Sequence, residues 1–174
     1  NYAEQLGLAT KSGVEIYEMD PHPSDRDAVA SAIGQGTHAY SAINLCRYVS
    51  TLATSGVCHD FTLVSKITDY NGNVIRDNEP VVSNTMNVSS STWNAVHQGM
   101  RLVIENTASF KGLPYQAAGK SGTAQENTNK ADHITFISYA PYDNPEVAVS
   151  VLIPNGYASS NAAKLTSDIY KIYW

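Results

Sequence analysis

Ala118-Gly119-Lys120-Ser121-Gly122-Thr123-Ala124-Gln125 reads as a β-strand shaped to be approached. Small side chains fill nearly every step around one embedded lysine. A glycine inside a strand weakens it, so Gly122 beside Lys120 suits the edge of a sheet, where an extended ligand can lie antiparallel along the backbone. This stretch is the first of three strand-like segments, 117–125, 133–140 and 147–153, each with the residue types of a half-buried strand. A helix over 161–173 follows them, with Ala162, Leu165, Ile169 and Ile172 as its apolar stripe. The connections between the strands are too short for crossover helices, which predicts an antiparallel sheet and an α+β class.

Toward the N-terminus, 92–105 carries Trp93, Val96, Met100, Val103 and Ile104 at helical spacing, with Ser90 or Ser91 as the expected cap. The segment 61–83 alternates on either side of Asn71-Gly72-Asn73, a strong hairpin signal. Over 39–55 the positions Ala42, Leu45, Cys46, Val49, Leu52 and Ala53 mark an amphipathic helix closed by Gly56 at C′. Residues 28–33 read as a short turn region ending in Gly34-Gln35-Gly36, 10–24 as a surface loop, and 1–8 as the tail of a helix. No repeat or low-complexity linker interrupts the chain, so 1–174 reads as one domain.

Bulk properties exclude several classes. Hydrophobic residues at 43% against 16% charged argue for a packed core. No apolar run approaches the roughly 18 to 20 residues of a membrane helix. A net charge of −5 with 11 scattered Lys and Arg leaves no basic stripe for nucleic acid. Cys46 and Cys58 have no ligand-spaced neighbours and read as small hydrophobes, with no metal and no cofactor implied.

Lys120-Ser121-Gly122-Thr123 resembles the Lys-[Ser/Thr]-Gly-Thr box of penicillin-binding proteins and serine β-lactamases. The resemblance extends over nearly the whole chain. Ala32-Ile33-Gly34-Gln35-Gly36 and the helix ending Thr51-Leu52-Ala53-Thr54-Ser55-Gly56-Val57 look like the stretch after the second active-site motif of class B penicillin-binding proteins. His133-Ile134-Thr135-Phe136-Ile137-Ser138-Tyr139-Ala140-Pro141 and Asn144-Pro145-Glu146-Val147-Ala148-Val149-Ser150-Val151 are similar to the two strands that follow the box. Tyr2 to Val14 resembles the helix and loop before the Gly-Gln-Gly segment.

The resemblance implies a partial penicillin-binding, β-lactamase-like transpeptidase fold and a D,D-transpeptidase acting on peptidoglycan stem peptides, with β-lactam antibiotics as substrate mimics. Lys120 would supply positive charge in the site. The hydroxyls of Ser121 and Thr123 would bind the substrate or drug carboxylate beside Gly122, and the Thr123 N–H would form half of an oxyanion hole. The family needs a Ser-x-x-Lys nucleophile and a Ser-x-Asn motif upstream of Gly34, and neither is present: no lysine has a serine three residues before it, and the one Ser-x-Asn, Ser159-Ser160-Asn161, reads as a cap of the last helix. The nucleophile and the rest of the transpeptidase domain are therefore expected outside these residues, in a membrane-anchored parent at the extracytoplasmic face of a bacterial membrane, where other cell-wall synthesis proteins could join it.

Two alternatives share the motif: a β-lactam sensor or serine β-lactamase, and a non-catalytic module that adds partner strands to the sheet edge. A Ser121-His133-Asp132 triad is disfavoured because consecutive strand residues point to opposite faces. Gly34-x-Gly36 has no third glycine and no preceding strand, which excludes a dinucleotide loop.

Overall fold

The structure, a computed structural model, describes residues 2–125 and 129–174. At its centre β5 (Ala118–Ala124), β6 (His133–Ala140) and β7 (Val147–Ile153) form an antiparallel sheet in that order. The residues of β6 divide between two cores. Ile134, Phe136 and Ser138 face α5 (Ser159–Tyr173), with Phe110, Val149, Val151, Ala162, Ala163 and Tyr170 in the same core. Ile137 and Tyr139 turn to the opposite face, where α3 (Ala42–Ala53) and α4 (Ser90–Glu105) bring Val49, Leu52, Trp93 and Met100. The alternation is the side-chain period of a strand covered on both faces.

The expected stripe on the last helix is only partly right. Leu165 is 45% exposed and Ile172 84%, whereas α5 buries Ala162, Ala163, Thr166, Ser167 and Tyr170. Small and hydroxyl residues can take that face because each hydroxyl has a partner. Thr166 Oγ1 donates to the Ala162 carbonyl at 2.9 Å, Ser167 Oγ to the Ser109 carbonyl at 2.6 Å, and the hydroxyls of Ser138 and Tyr170 pair at 2.7 Å. Nor does Ser159-Ser160-Asn161 cap the helix: it forms the first turn, the N-cap is Ala158 without a side-chain bond, and Asn161 Nδ2 donates to the Gly156 carbonyl.

The other helices differ from expectation mainly at their ends. The cap of α4 is Ser89, whose Oγ accepts from Thr92 N–H. On α3, Ser41 and Asn44 form a reciprocal capping box. At its other end Ser55 takes the C′ position at φ 54°, and Gly56 follows at φ 96°. Gly56 N–H bonds the Thr51 carbonyl and Ser55 N–H the Leu52 carbonyl, a Schellman closure. A Cβ on Gly56 would lie 2.6 Å from Trp93 Cζ2, so glycine is required there on two counts. Two short helices come before α3: α1 (Tyr2–Gln5), and α2 (Ala28–Ala32), where only a turn region was expected.

The hairpin forms from β2 (Lys66–Thr68) and β3 (Val74–Asp77), its turn held by Asp69 Oδ1 accepting from the N–H groups of Asn71 and Asn73. Outside it, β1 (Val57–Asp60) and β4 (Val81–Thr85) make a second antiparallel pair that the sequence did not reveal. Cys46 and Cys58 are both free thiols.

Candidate active site

Strand β5 pairs only with β6 among the described residues, so its other edge is open. Its register sets the site. Lys120 lies opposite Ile137 and Gly122 opposite Thr135, on the face shared with α3 and α4. Ser121 and Thr123 lie opposite Phe136 and Ile134, on the α5 face. Lys120 and Gly122, with Ser121 in the strand between them, line a cleft of ≈ 340 Å³, with Thr135 and Ile137 from β6, Leu45, Tyr48 and Leu52 from α3, and Val96 and Met100 from α4. The helix residues recur at spacings of three and four, and all but Tyr48 belong to the apolar faces read from the sequence.

The site combines a cation with an apolar wall. Lys120 is exposed, and its Nζ donates to the Ser121 carbonyl at 2.7 Å. Tyr48, across the cleft, has its phenol pushed above the ordinary tyrosine range by burial. Gly122 is needed for packing as well as access, since a Cβ there would come 2.3 Å from Thr135 Oγ1. Likewise a Cβ on Gly119 would lie 2.8 Å from the Ile137 carbonyl oxygen. The two small residues thus bring β5 close against β6. Thr123 does not line the cleft. It is exposed at the end of the strand, where its carbonyl accepts a hydrogen bond from Gln35 Nε2 at 3.5 Å.

The sequence matches the family model described as Penicillin binding protein transpeptidase domain over residues 1–171. The chain belongs to this family. Penicillin-binding protein 2A of Bacillus subtilis (strain 168) is 33% identical over 97% of this chain and 27% of its own length. Peptidoglycan D,D-transpeptidase MrdA of Haemophilus influenzae is 31% identical, over 99% of this chain and 32% of its own. Among solved structures, the imipenem acyl-enzyme complex of penicillin-binding protein A from M. tuberculosis superposes with a TM-score of 0.87 at 21% identity, covering 98% of this chain and 40% of that one, and shares its fold. The chain spans about a third of the length of these curated relatives. These matches bear out the class B resemblance and the α+β transpeptidase fold read from the box and its flanks.

Gln35, Thr135 and Arg47 have no role that the sequence pattern assigns: Gln35 belongs to the Gly-Gln-Gly segment, Thr135 to a strand, and Arg47 to no motif. Thr135 meets Gly122 only through the register of β6 against β5, and Gln35 reaches Thr123 across 88 residues, neither with a local signal. His133 pairs with Ala124, and its Nδ1 accepts from Asn155 N–H, so it is not aligned with Ser121 for a triad.

Proposed function

We propose that this chain is the C-terminal portion of a peptidoglycan D,D-transpeptidase domain, and that the cleft beside Lys120 is one wall of its active site. The observation that carries this is the placement of Lys120, Ser121 and Gly122 along an open strand edge, facing an apolar helical wall. The other wall, with the nucleophilic serine, belongs to polypeptide outside these 174 residues. That polypeptide would cover Leu45, Tyr48, Val96 and Ile137.

In this reading a stem peptide ending in D-Ala-D-Ala lies along β5. The serine oxygen attacks the penultimate D-Ala carbonyl, terminal D-Ala departs with a proton on its nitrogen, and an amine from a neighbouring strand then takes the acyl group and releases the serine. Lys120 holds positive charge at the serine side, and the hydroxyls of Ser121 and Thr123, on the other face of the same strand, bind the terminal carboxylate of a ligand lying along the open edge. The Thr123 N–H stabilises the tetrahedral oxyanion, a contribution of roughly 2.7 to 4 kcal/mol per donor in acyl transfer. A β-lactam would be opened by the same serine and held as an acyl-enzyme. The active site would face the extracytoplasmic side of a bacterial membrane.

Fluorescent penicillin tests this directly. The full-length protein should give a covalently labelled band that Lys120→Ala weakens at least tenfold, and the 174-residue chain alone should give none. A labelled band from the chain alone, or an unlabelled full-length protein, overturns the proposal.

A further inference from the structure

Gln35 stands on a loop built to place it. Gly34 at φ 80° and Gly36 at φ 133° flank it, both in the left-handed range that favours glycine. Gln35 N–H bonds the Ala30 carbonyl at 2.9 Å. Behind it Ser31 Oγ donates to Ser24 Oγ at 2.6 Å, and Thr37 N–H donates to the same Ser24 oxygen at 3.3 Å. A Cβ on Gly36 would lie 2.8 Å from Ser24 Oγ and 2.9 Å from Ser31 Oγ, so the loop closes only with glycine there. From this support the half-buried Gln35 side chain donates to the Thr123 carbonyl, at the end of the open strand.

We propose that Gln35 is a positioning residue that orients the Thr123 carbonyl to accept an amide N–H of an extended acyl-donor ligand, which deepens the transpeptidase reading and rests on it. A carbonyl oxygen has two lone pairs, so Gln35 Nε2 can hold one while a ligand N–H uses the other. A ligand that extends the sheet along β5 meets alternate backbone groups of the strand, and the Thr123 carbonyl that Gln35 holds is an acceptor at the end of that strand. The carboxamide is suited to this in a way a carboxylate is not: an ionised Glu donates nothing and would face the carbonyl oxygen with like charge. Gln35 acts through Thr123 and does not touch the reacting bond.

The test is a cycle between residue 35 and the ligand N–H, run on the full-length protein. Acylation rate constants are measured for a penicillin with a secondary side-chain amide and for its N-methylated counterpart, on wild type, Gln35→Ala and Gln35→Glu. The expected result is a loss of roughly tenfold for the N–H penicillin in Gln35→Ala, about the worth of one hydrogen bond. Gln35→Glu should lose more, and the N-methyl penicillin should change less than about twofold in either variant. Comparing two ligands on one protein sample removes any shared effect of altered folding. Equal losses for both penicillins, or no loss for either, overturn the role of Gln35 while leaving the transpeptidase reading intact. A wild type acylated by neither ligand overturns that reading and this inference with it.

Discussion

Gly122 shows how closely the site depends on single atoms. Its missing Cβ leaves room for Thr135 Oγ1, which would otherwise be met at 2.3 Å, while Thr135 Cβ stays at an ordinary 3.7 Å. Gly122→Ala should therefore destabilise the chain by about 1 to 3 kcal/mol, the range for overpacking a close-packed site. Thr135→Ala removes the atom that clashes, so the double variant should recover most of that loss in urea unfolding. A double variant no more stable than Gly122→Ala alone would place the strain elsewhere. Gly119 offers no such escape, because its Cβ would meet backbone at Ile137. The box itself was legible in the sequence, as small residues around one lysine. Its partner Thr135 was not, since the register of β5 against β6 is a long-range pairing that no local pattern states.

Helix α5 makes the corresponding point for an element. Its existence followed from periodicity, but its buried face did not, because hydroxyls with partners bury as readily as aliphatic groups. On its outer side Asp168 accepts from Lys164 at 2.7 Å and from Lys171 at 3.0 Å. The hydrogen bonds from Lys164 and then Lys171 hold its carboxyl below the ordinary carboxylate range. A depressed carboxyl pKa in the folded state contributes stability that is present above the unfolded value, about 3.9, and is lost as pH falls through the folded one. Asp168→Asn should thus be slightly less stable than the parent at pH 7, and the difference should close in acid, at a pH where the folded-state carboxyl is also protonated. Thermal unfolding at the two pH values checks this, and a difference that persists in acid would mean the loss is not electrostatic. Because the group is exposed, the effect should also shrink in high salt.

Across the whole molecule, Arg47 joins the parts that surround the cleft. It is 2% exposed, and its Nε and Nη atoms donate to the His59 and Lys11 carbonyls, the Thr10 and Ser83 hydroxyls and Asp60 Oδ1 at 2.7 to 3.1 Å. One guanidinium thereby fastens the N-terminal segment and the β1–β4 pair to α3, whose other face lines the site. Arg47→Ala should lower stability by about 3 kcal/mol, and Arg47→Lys should recover less than half of that, since an ammonium cannot fill the planar fork. Asp60→Asn should cost under about 1 kcal/mol because Asp60 is partly in water. Denaturant unfolding of the three variants gives the ranking, and an Arg47→Lys as stable as the parent would remove the fork from the explanation. Local periodicity, turn chemistry and contiguous motifs were enough for the α+β class, most of the elements, the family and the Lys120 box. The burial of Arg47, the pairing of β1 with β4, the seat of Thr135 over Gly122 and the reach of Gln35 to Thr123 came from the folded chain. Each of these joins residues far apart in the chain, and the interaction becomes favourable only once packing has brought them together and displaced the water between them.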